Sequence, residues 1–176
     1  MIRPGRPDDH DAVDAVLRAA FPTPAEAALV ASLRAARDVA VELVAERSTP
    51  DAAGAHVVGH VLFSRVGVTP RAAGPIAAGL GLAPLAVLPS EQRRGIGAAL
   101  VRAGLDACRA CGCRFVVVLG DPAYYVRFGF RRASDIGVAN EYGADAEFML
   151  RELSPGGLPP GGGLARYAPA FAALPA

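Results

Sequence analysis

The chain has 176 residues and is 52% apolar, which suits a single domain with a substantial core. Its 18 basic residues, all arginine, stand against 17 acidic ones for a net charge of +1, and this balance argues against nucleic acid or an anionic membrane as a general partner. Three cysteines in one short cluster, Cys108, Cys111 and Cys113, make no disulfide framework, and a zinc site would need a fourth ligand that no nearby histidine offers.

Met1–Gly5 lacks an apolar signal core, so the expected compartment is the cytoplasm. Ile2–Arg3 reads as a short first strand. Pro7-Asp8 then opens a helix, with Asp8 as N-cap and Asp9 and Asp11 near its positive end. Ala12/Val13, Val16/Leu17 and Ala20/Phe21 recur at helical spacing, and Pro22 stops the run. Thr23-Pro24-Ala25-Glu26 has the form of a capping box with Pro at the first helical position, and Leu29, Val30 and Leu33 give the second helix its buried stripe. Val39–Glu46 and Val57–Ser64, the latter extended toward Val68, read as an antiparallel strand pair around a turn at Ser48–Ala55. His56 and His60 fall near or in strand-like sequence, so their four-residue spacing points to structural or solvent-facing roles rather than a metal. Arg71–Gly79 is a loop. Ala72–Ser90 carries no charge, but its glycines and prolines argue against a membrane helix.

Leu80–Leu88 is apolar at nearly every position and is the expected central strand, covered on both faces. After Gln92–Gly97 (QRRGIG), Ala98–Cys111 has helical spacing, with Leu100/Val101, Leu105 and Cys108 on one face and Gly112 as its stop. The cysteines read as small buried or half-buried residues, with redox or metal chemistry as the other reading. Phe115–Leu119 is the next buried strand, and the helical crossover makes it parallel to the central one, a βαβ unit. Pro122–Phe128 suits one or two helical turns, Phe130–Ala133 an extended piece, Ser134–Ala146 a loop and Glu147–Leu153 a late strand. Ser154–Gly163 is a Pro/Gly linker, and Leu164–Tyr167 reads as an edge strand before an Ala/Pro tail. With no internal repeat, 1–176 reads as one domain.

The chemistry concentrates in Gln92–Gly97. Gly95 and Gly97 let the backbone approach a ligand. The helix start leaves its first N–H groups free and partly positive, and Arg93 and Arg94 add full charge, so the turn suits a pyrophosphate. On these six residues alone, a basic turn that merely caps a helix fits equally well. No GK[ST] makes it a Walker loop and it is not GxGxxG. Asp121, near the end of the next strand, keeps a nicotinamide reading open.

Leu85–Leu88, QRRGIG, the helix and then VVVLGDPAYYVRFGF resemble the GNAT family of acyl-CoA-dependent N-acyltransferases, and the DPAYY…FGF wording resembles its YhbS-like subgroup. Gln92, Gly95 and Gly97 match the family's [Q/R]xxGx[G/A] pattern, and Tyr125 stands four residues before Gly129-Phe130. The strong match covers about Leu80–Arg131, and a weaker one, by element order, Ile2–Leu153. The resemblance implies an α/β (mixed α+β) fold, with a mixed central sheet flanked by helices and parallel strands that splay apart at a CoA site. Acetyl-CoA would be the co-substrate, with no metal. Pantetheine would pair with the backbone of Leu85, Ala86 and Val87 like an extra strand. The pyrophosphate would sit on the amides of Arg93, Arg94, Gly95, Ile96, Gly97 and Ala98, and an amide near Val87 would face the thioester carbonyl. The implied partner is a small-molecule or peptide amine, with no nucleic acid and no membrane, and a homodimer is left open.

An amine that attacks a thioester directly creates an oxyanion, which a preorganised backbone N–H can hold. The departing thiolate needs a proton, and a tyrosine hydroxyl, with an ordinary pKa of about 10, can give it. Tyr125 is the candidate general acid; a core aromatic beside Phe128 and Phe130 is its alternative role. Tyr124 is the fallback, read as packing or lining the pocket. The base is not legible: Glu91, Asp121, Glu141, Glu147 and His60 all qualify by type. The function expected is an N-acetyltransferase, and the alternative is a non-catalytic acyl-CoA-binding or regulatory module.

Overall fold

The structure, a computed structural model, describes residues 1–48 and 55–173, so the turn expected over Ser48–Ala55 lies almost wholly outside the described residues. The chain divides into two compact units. The first holds Met1–Phe63, Pro84–Gly104 and Pro169–Ala176; the second holds Ser64–Ala83 and Leu105–Ala168.

In the first unit, β1 (Ile2–Pro4) pairs antiparallel with β2 (Val39–Ser48), with Ile2 opposite Ala45 and Pro4 opposite Leu43. Two helices connect them. The first, α1 (His10–Ala20), buries Val13, Val16 and Leu17, the spacing of one helical face. It begins one residue later than Asp8 suggests, after a 3-10 turn at Pro7–Asp9. Asp9, not Asp8, is the buried carboxylate: it accepts the Arg6 N–H at 2.7 Å and the Arg3 guanidinium at 2.7 and 2.8 Å. The capping box expected for α2 (Ala25–Ala36) does not form. Pro24 takes the cap position, which puts Ala27 rather than Glu26 where the box needs an acid. The Thr23 hydroxyl accepts only a long bond from Ala25 N–H, at 3.4 Å.

From the first unit β3 (Ala55–Pro70) runs into the second. Its first-unit part buries Val58, Val61, Leu62 and Phe63. Two glycines let α3 (Ile96–Ala110) lie directly on it. A Cβ on Gly104 would stand 2.3 Å from the Phe63 ring, and one on Gly59 would stand 3.0 Å from Leu100 Cδ1. A small residue at a helix–strand contact brings the two backbones close, and anything larger would have to displace a packed ring.

The second unit is built on β4 (Ala77–Val87), whose last residues belong to the first unit, and β5 (Phe115–Leu119). They pair in parallel, as the crossover requires, with Leu80 opposite Val116 and Leu82 opposite Val118. On the other side of β5 comes β8 (Phe148–Glu152), antiparallel, followed by β6 (Arg131–Arg132). Two short strands differ from the sequence reading. Val138–Asn140, in the stretch expected to be a loop, is β7; it pairs in parallel with β9 (Gly163–Tyr167). Nor is β9 an edge, because its other side pairs antiparallel with Val66–Pro70 of β3. Strand order along the hydrogen-bonded ladder is β1-β2-β3-β4-β5-β8-β6, with β9 and β7 joined through β3. The fold is a mixed α/β sheet with helices, as expected. The Pro122–Phe128 turns appear as α4 (Pro122–Tyr125) and a 3-10 turn, with Asp121 capping through the Ala123 N–H at 2.9 Å. No helix among the described residues is long and apolar enough to cross a membrane.

Candidate functional site

The site begins where β4 outruns its partner. The parallel register with β5 ends at Leu82 and Val118, but β4 continues to Val87. Pro84 brings no N–H to this extension. Leu85 and Val87 are half-buried and Ala86 is buried, the alternation of a strand. Leu88 N–H then bonds Val58 O at 2.9 Å, and Pro89–Glu91 makes a 3-10 turn.

Gln92 reaches back: its Nε2 donates to Val87 O at 3.1 Å, so the first residue of the motif is tied to the end of the strand. Arg93 (φ 60°) and Gly95 (φ 83°) both take left-handed backbone. For glycine this costs little, whereas for arginine such a conformation costs on the order of 1–3 kcal/mol and persists where its surroundings impose it. These two bends set the chain into α3, whose first bond runs from Ala99 N–H to Gly95 O at 2.9 Å. The N–H groups of the first turn have no carbonyl a turn behind them and carry the positive end of the helix dipole. Arg93, Arg94 and Gly95 are exposed beside them. Glu91 is held by Arg47 and lies 3.4 Å from Arg94. A cavity of about 580 Å³ opens along this side of the turn, lined by Arg47, Val58, Glu91, Arg94 and Ile96 among others. Leu85–Val87 and Gln92–Ala98 thus form one continuous piece of the first unit. It has the chemistry to hold a diphosphate: backbone donors, a helix end, two arginines and a glycine with open space beside it.

Tyr125 belongs to the second unit, as the last residue of α4. Its ring meets Tyr124 edge-on at 5.1 Å and Phe130 at 5.7 Å. Gly120 makes the room, since a Cβ there would stand 2.5 Å from that ring. Burial pushes the Tyr125 hydroxyl above the ordinary phenol range, and Tyr124 adds to the shift, so it keeps its proton at neutral pH and has one to give. Tyr124 is covered by the Arg127 guanidinium, 4.4 Å above its ring.

The five candidate bases fare differently. Glu91 is engaged by Arg47 and Arg94. Asp121 caps α4, and Glu141 accepts the Tyr167 backbone N–H at 2.9 Å. Glu147 is exposed in the turn just before β8. His60 is fully buried and bonds Glu42 Oε1 through Nε2 at 2.8 Å, while its Nδ1 has no partner among the described residues. Burial holds the His60 pKa down against the pull of Glu42. A proton on Nδ1 would be a second buried N–H without an acceptor, so the neutral Nε2–H form is the stable one. Such a ring takes no proton from an amine substrate.

Sequence reasoning missed the group that explains His60. Glu42 on β2 also receives Arg34 from α2. Burial pushes the Glu42 carboxyl up, but the bonds from His60 and Arg34 outweigh it and hold the pKa at about 2. A carboxyl that ionises more readily folded than unfolded stabilises fully above its unfolded value, about 4.3, and that stability is lost as pH falls through the folded value. Glu42→Gln is therefore expected to destabilise by about 1.5–3 kcal/mol near neutral pH, the usual range for hydrogen bonds to a charged group. Urea melts of parent and variant should converge as the pH is lowered below about 4; a constant gap would show that ionisation of Glu42 is not the cause. Among the described residues, no group of three or more His, Cys, Asp or Glu side chains is placed to hold a metal ion.

Comparisons with known proteins bear on this geometry. The acetyltransferase (GNAT) family model matches residues 13–130. The uncharacterized N-acetyltransferase YhbS of Escherichia coli strain K12 is 37% identical over 168 residues, 95% of each chain. The crystal structure of E. coli YhbS in complex with CoA matches with a TM-score of 0.86 and 35% identity, over 98% of this chain and 91% of that one. A GNAT family acetyltransferase from Brucella melitensis, in complex with acetyl-CoA, matches with a TM-score of 0.75 and 34% identity, over 97% of each chain.

Proposed function

The chain belongs to the acetyltransferase (GNAT) family, and from that premise we propose that it is an acetyl-CoA-dependent N-acetyltransferase whose acceptor, a primary amine, attacks the thioester directly. The observation that carries the reading is the turn at the start of α3, bent by Arg93 and Gly95 and tied to β4 by Gln92. Two relatives at 34–35% identity have structures in complex with CoA or acetyl-CoA, which supports the same donor here. Acetyl-CoA supplies the activated acyl group. The amides of Arg93–Ala98 hold its pyrophosphate, with Arg93 and Arg94 adding charge. The backbone of Leu85–Val87, beyond the last β5 pair, lies along pantetheine as along an added strand. An N–H near Val87 steadies the developing oxyanion, and Tyr125 gives its proton to the departing thiolate. The acceptor is a small-molecule or peptide amine. The family match and the relatives span residues of both units, which supports one transferase domain over 1–176. The compartment that goes with this donor is the cytoplasm, and sedimentation would show whether the enzyme works as a homodimer.

Calorimetry with acetyl-CoA is expected to show saturable binding. A library of amines, screened for release of the CoA thiol, is expected to yield acceptors. Binding with no release from any amine would leave a non-catalytic acyl-CoA-binding module. No binding at all would overturn the reading.

A further inference from the structure

The three cysteines are not used by the transferase chemistry, yet the fold gives them three different environments. The C-terminal end of α3 closes with two bonds: Gly112 N–H to Arg109 O at 3.0 Å, and Cys113 N–H to Cys108 O at 2.9 Å. Gly112 between them is left-handed, at φ 80°. This is the six-to-one closing turn that folds the residue after the glycine back over the helix's last turn, where the two side chains usually make an apolar contact. Here both positions are cysteine, and the Cys113 thiol donates to Phe115 O at 3.0 Å. Cys108 is buried, Cys113 is half-buried and Cys111 is exposed. The Cys111 sulfur is turned elsewhere, onto the Cys108 carbonyl at 3.2 Å.

We propose that Cys108 and Cys113 are a peroxide-oxidisable thiol pair that closes as a disulfide across the end of α3, leaving Cys111 reduced. The six-to-one bond already holds the two residues as neighbours, so closing the link requires rotation of side chains and not of the helix. The roles of the two sulfurs differ. The neighbouring Cys113, then burial, push the Cys108 thiol up. The neighbouring Cys108 holds Cys113 down against burial. Cys113 is also the more accessible of the pair, so peroxide meets it first. The space beside Gly112 is open: a Cβ there would meet nothing within 4 Å.

The oxidant is hydrogen peroxide. The Cys113 thiolate attacks one peroxide oxygen; an S–O bond forms, the O–O bond breaks, and hydroxide leaves, taking a proton to become water. The Cys108 sulfur then attacks the Cys113 sulfenic acid. The S–S bond forms, the S–O bond breaks, and a second water departs with the Cys108 proton. Two thiols lose two electrons and one peroxide becomes two waters. The product ties the last turn of α3 to the segment that enters β5.

The intact folded protein is treated with hydrogen peroxide, its remaining thiols are alkylated, and tryptic peptides are mapped. Cleavage after Arg102, Arg109 and Arg114 puts Cys108 on one peptide and Cys111 with Cys113 on the next. The expected result is a cross-link between these two peptides, with fragmentation placing it on Cys113 and the alkyl group on Cys111. Cys111→Ser should form the link in unchanged yield, and Cys113→Ser should lose it. A disulfide through Cys111, either within its own peptide or to Cys108, would overturn the proposal. So would full alkylation of all three thiols in the peroxide-treated parent.

Discussion

Replacing Tyr125 by phenylalanine is expected to cut turnover about 10²–10⁴-fold, the usual worth of general acid catalysis, with little change in acetyl-CoA affinity. The substitution removes only the hydroxyl. The ring that packs edge-on against Tyr124 and Phe130 remains, so α4 and its surroundings should keep their form. Because burial pushes this hydroxyl upward, it stays protonated throughout neutral pH, and the parent should show no loss of rate from its ionisation below about pH 10. The effect of the substitution should shrink with a donor whose thiol is more acidic, since that thiolate leaves without a proton. Tyr124→Phe is the control and should change little, because the Tyr124 ring lies under Arg127 and serves packing. The measurement is single-turnover kinetics under conditions where chemistry is slow. A Tyr125→Phe enzyme that turns over at the parent rate would make the tyrosine a wall of the site and assign the proton to water.

Gly97→Leu is expected to weaken acetyl-CoA binding by about a hundredfold or more. Leucine is a good helix former, and Gly97 lies in the first turn of α3, so the fold should tolerate it. The new side chain would instead stand over the first-turn amides. Charge-assisted bonds are worth about 1.5–3 kcal/mol each, so the loss of two is enough for an effect of that size. Calorimetry measures the affinity, and a thermal melt checks that the variant is folded. A folded Gly97→Leu protein with parent affinity would remove the Gln92–Gly97 turn from the donor site.

The central stretch was legible in the sequence because its signals are local. An apolar run, a Gly/Arg turn, a helical stripe and a second apolar run within about fifty consecutive residues specify a parallel strand pair and its crossover with no distant partner. Gln92 and Gly95 act just as locally: the first bonds Val87 five residues back, and the second takes the left-handed bend into α3. What the sequence left undecided depends on which segments meet. Three-residue β7 is too short for alternation to show, and it exists because β9, twenty-odd residues later, lies beside it. β9 looked like an edge because nothing in its own residues records that β3 takes one side and β7 the other. The choice between Asp8 and Asp9 rested on where Arg3 lies, and the role of His60 on Glu42 and Arg34, which come from another strand and a helix. The cysteines show the division most plainly. Sequence placed three thiols in six residues, but only the left-handed Gly112 and the bond from Cys113 to Cys108 decide which two face each other. Hydropathy and spacing report what one segment can bury or bend; a buried charge or thiol is defined by its partner, and tertiary structure chooses that partner.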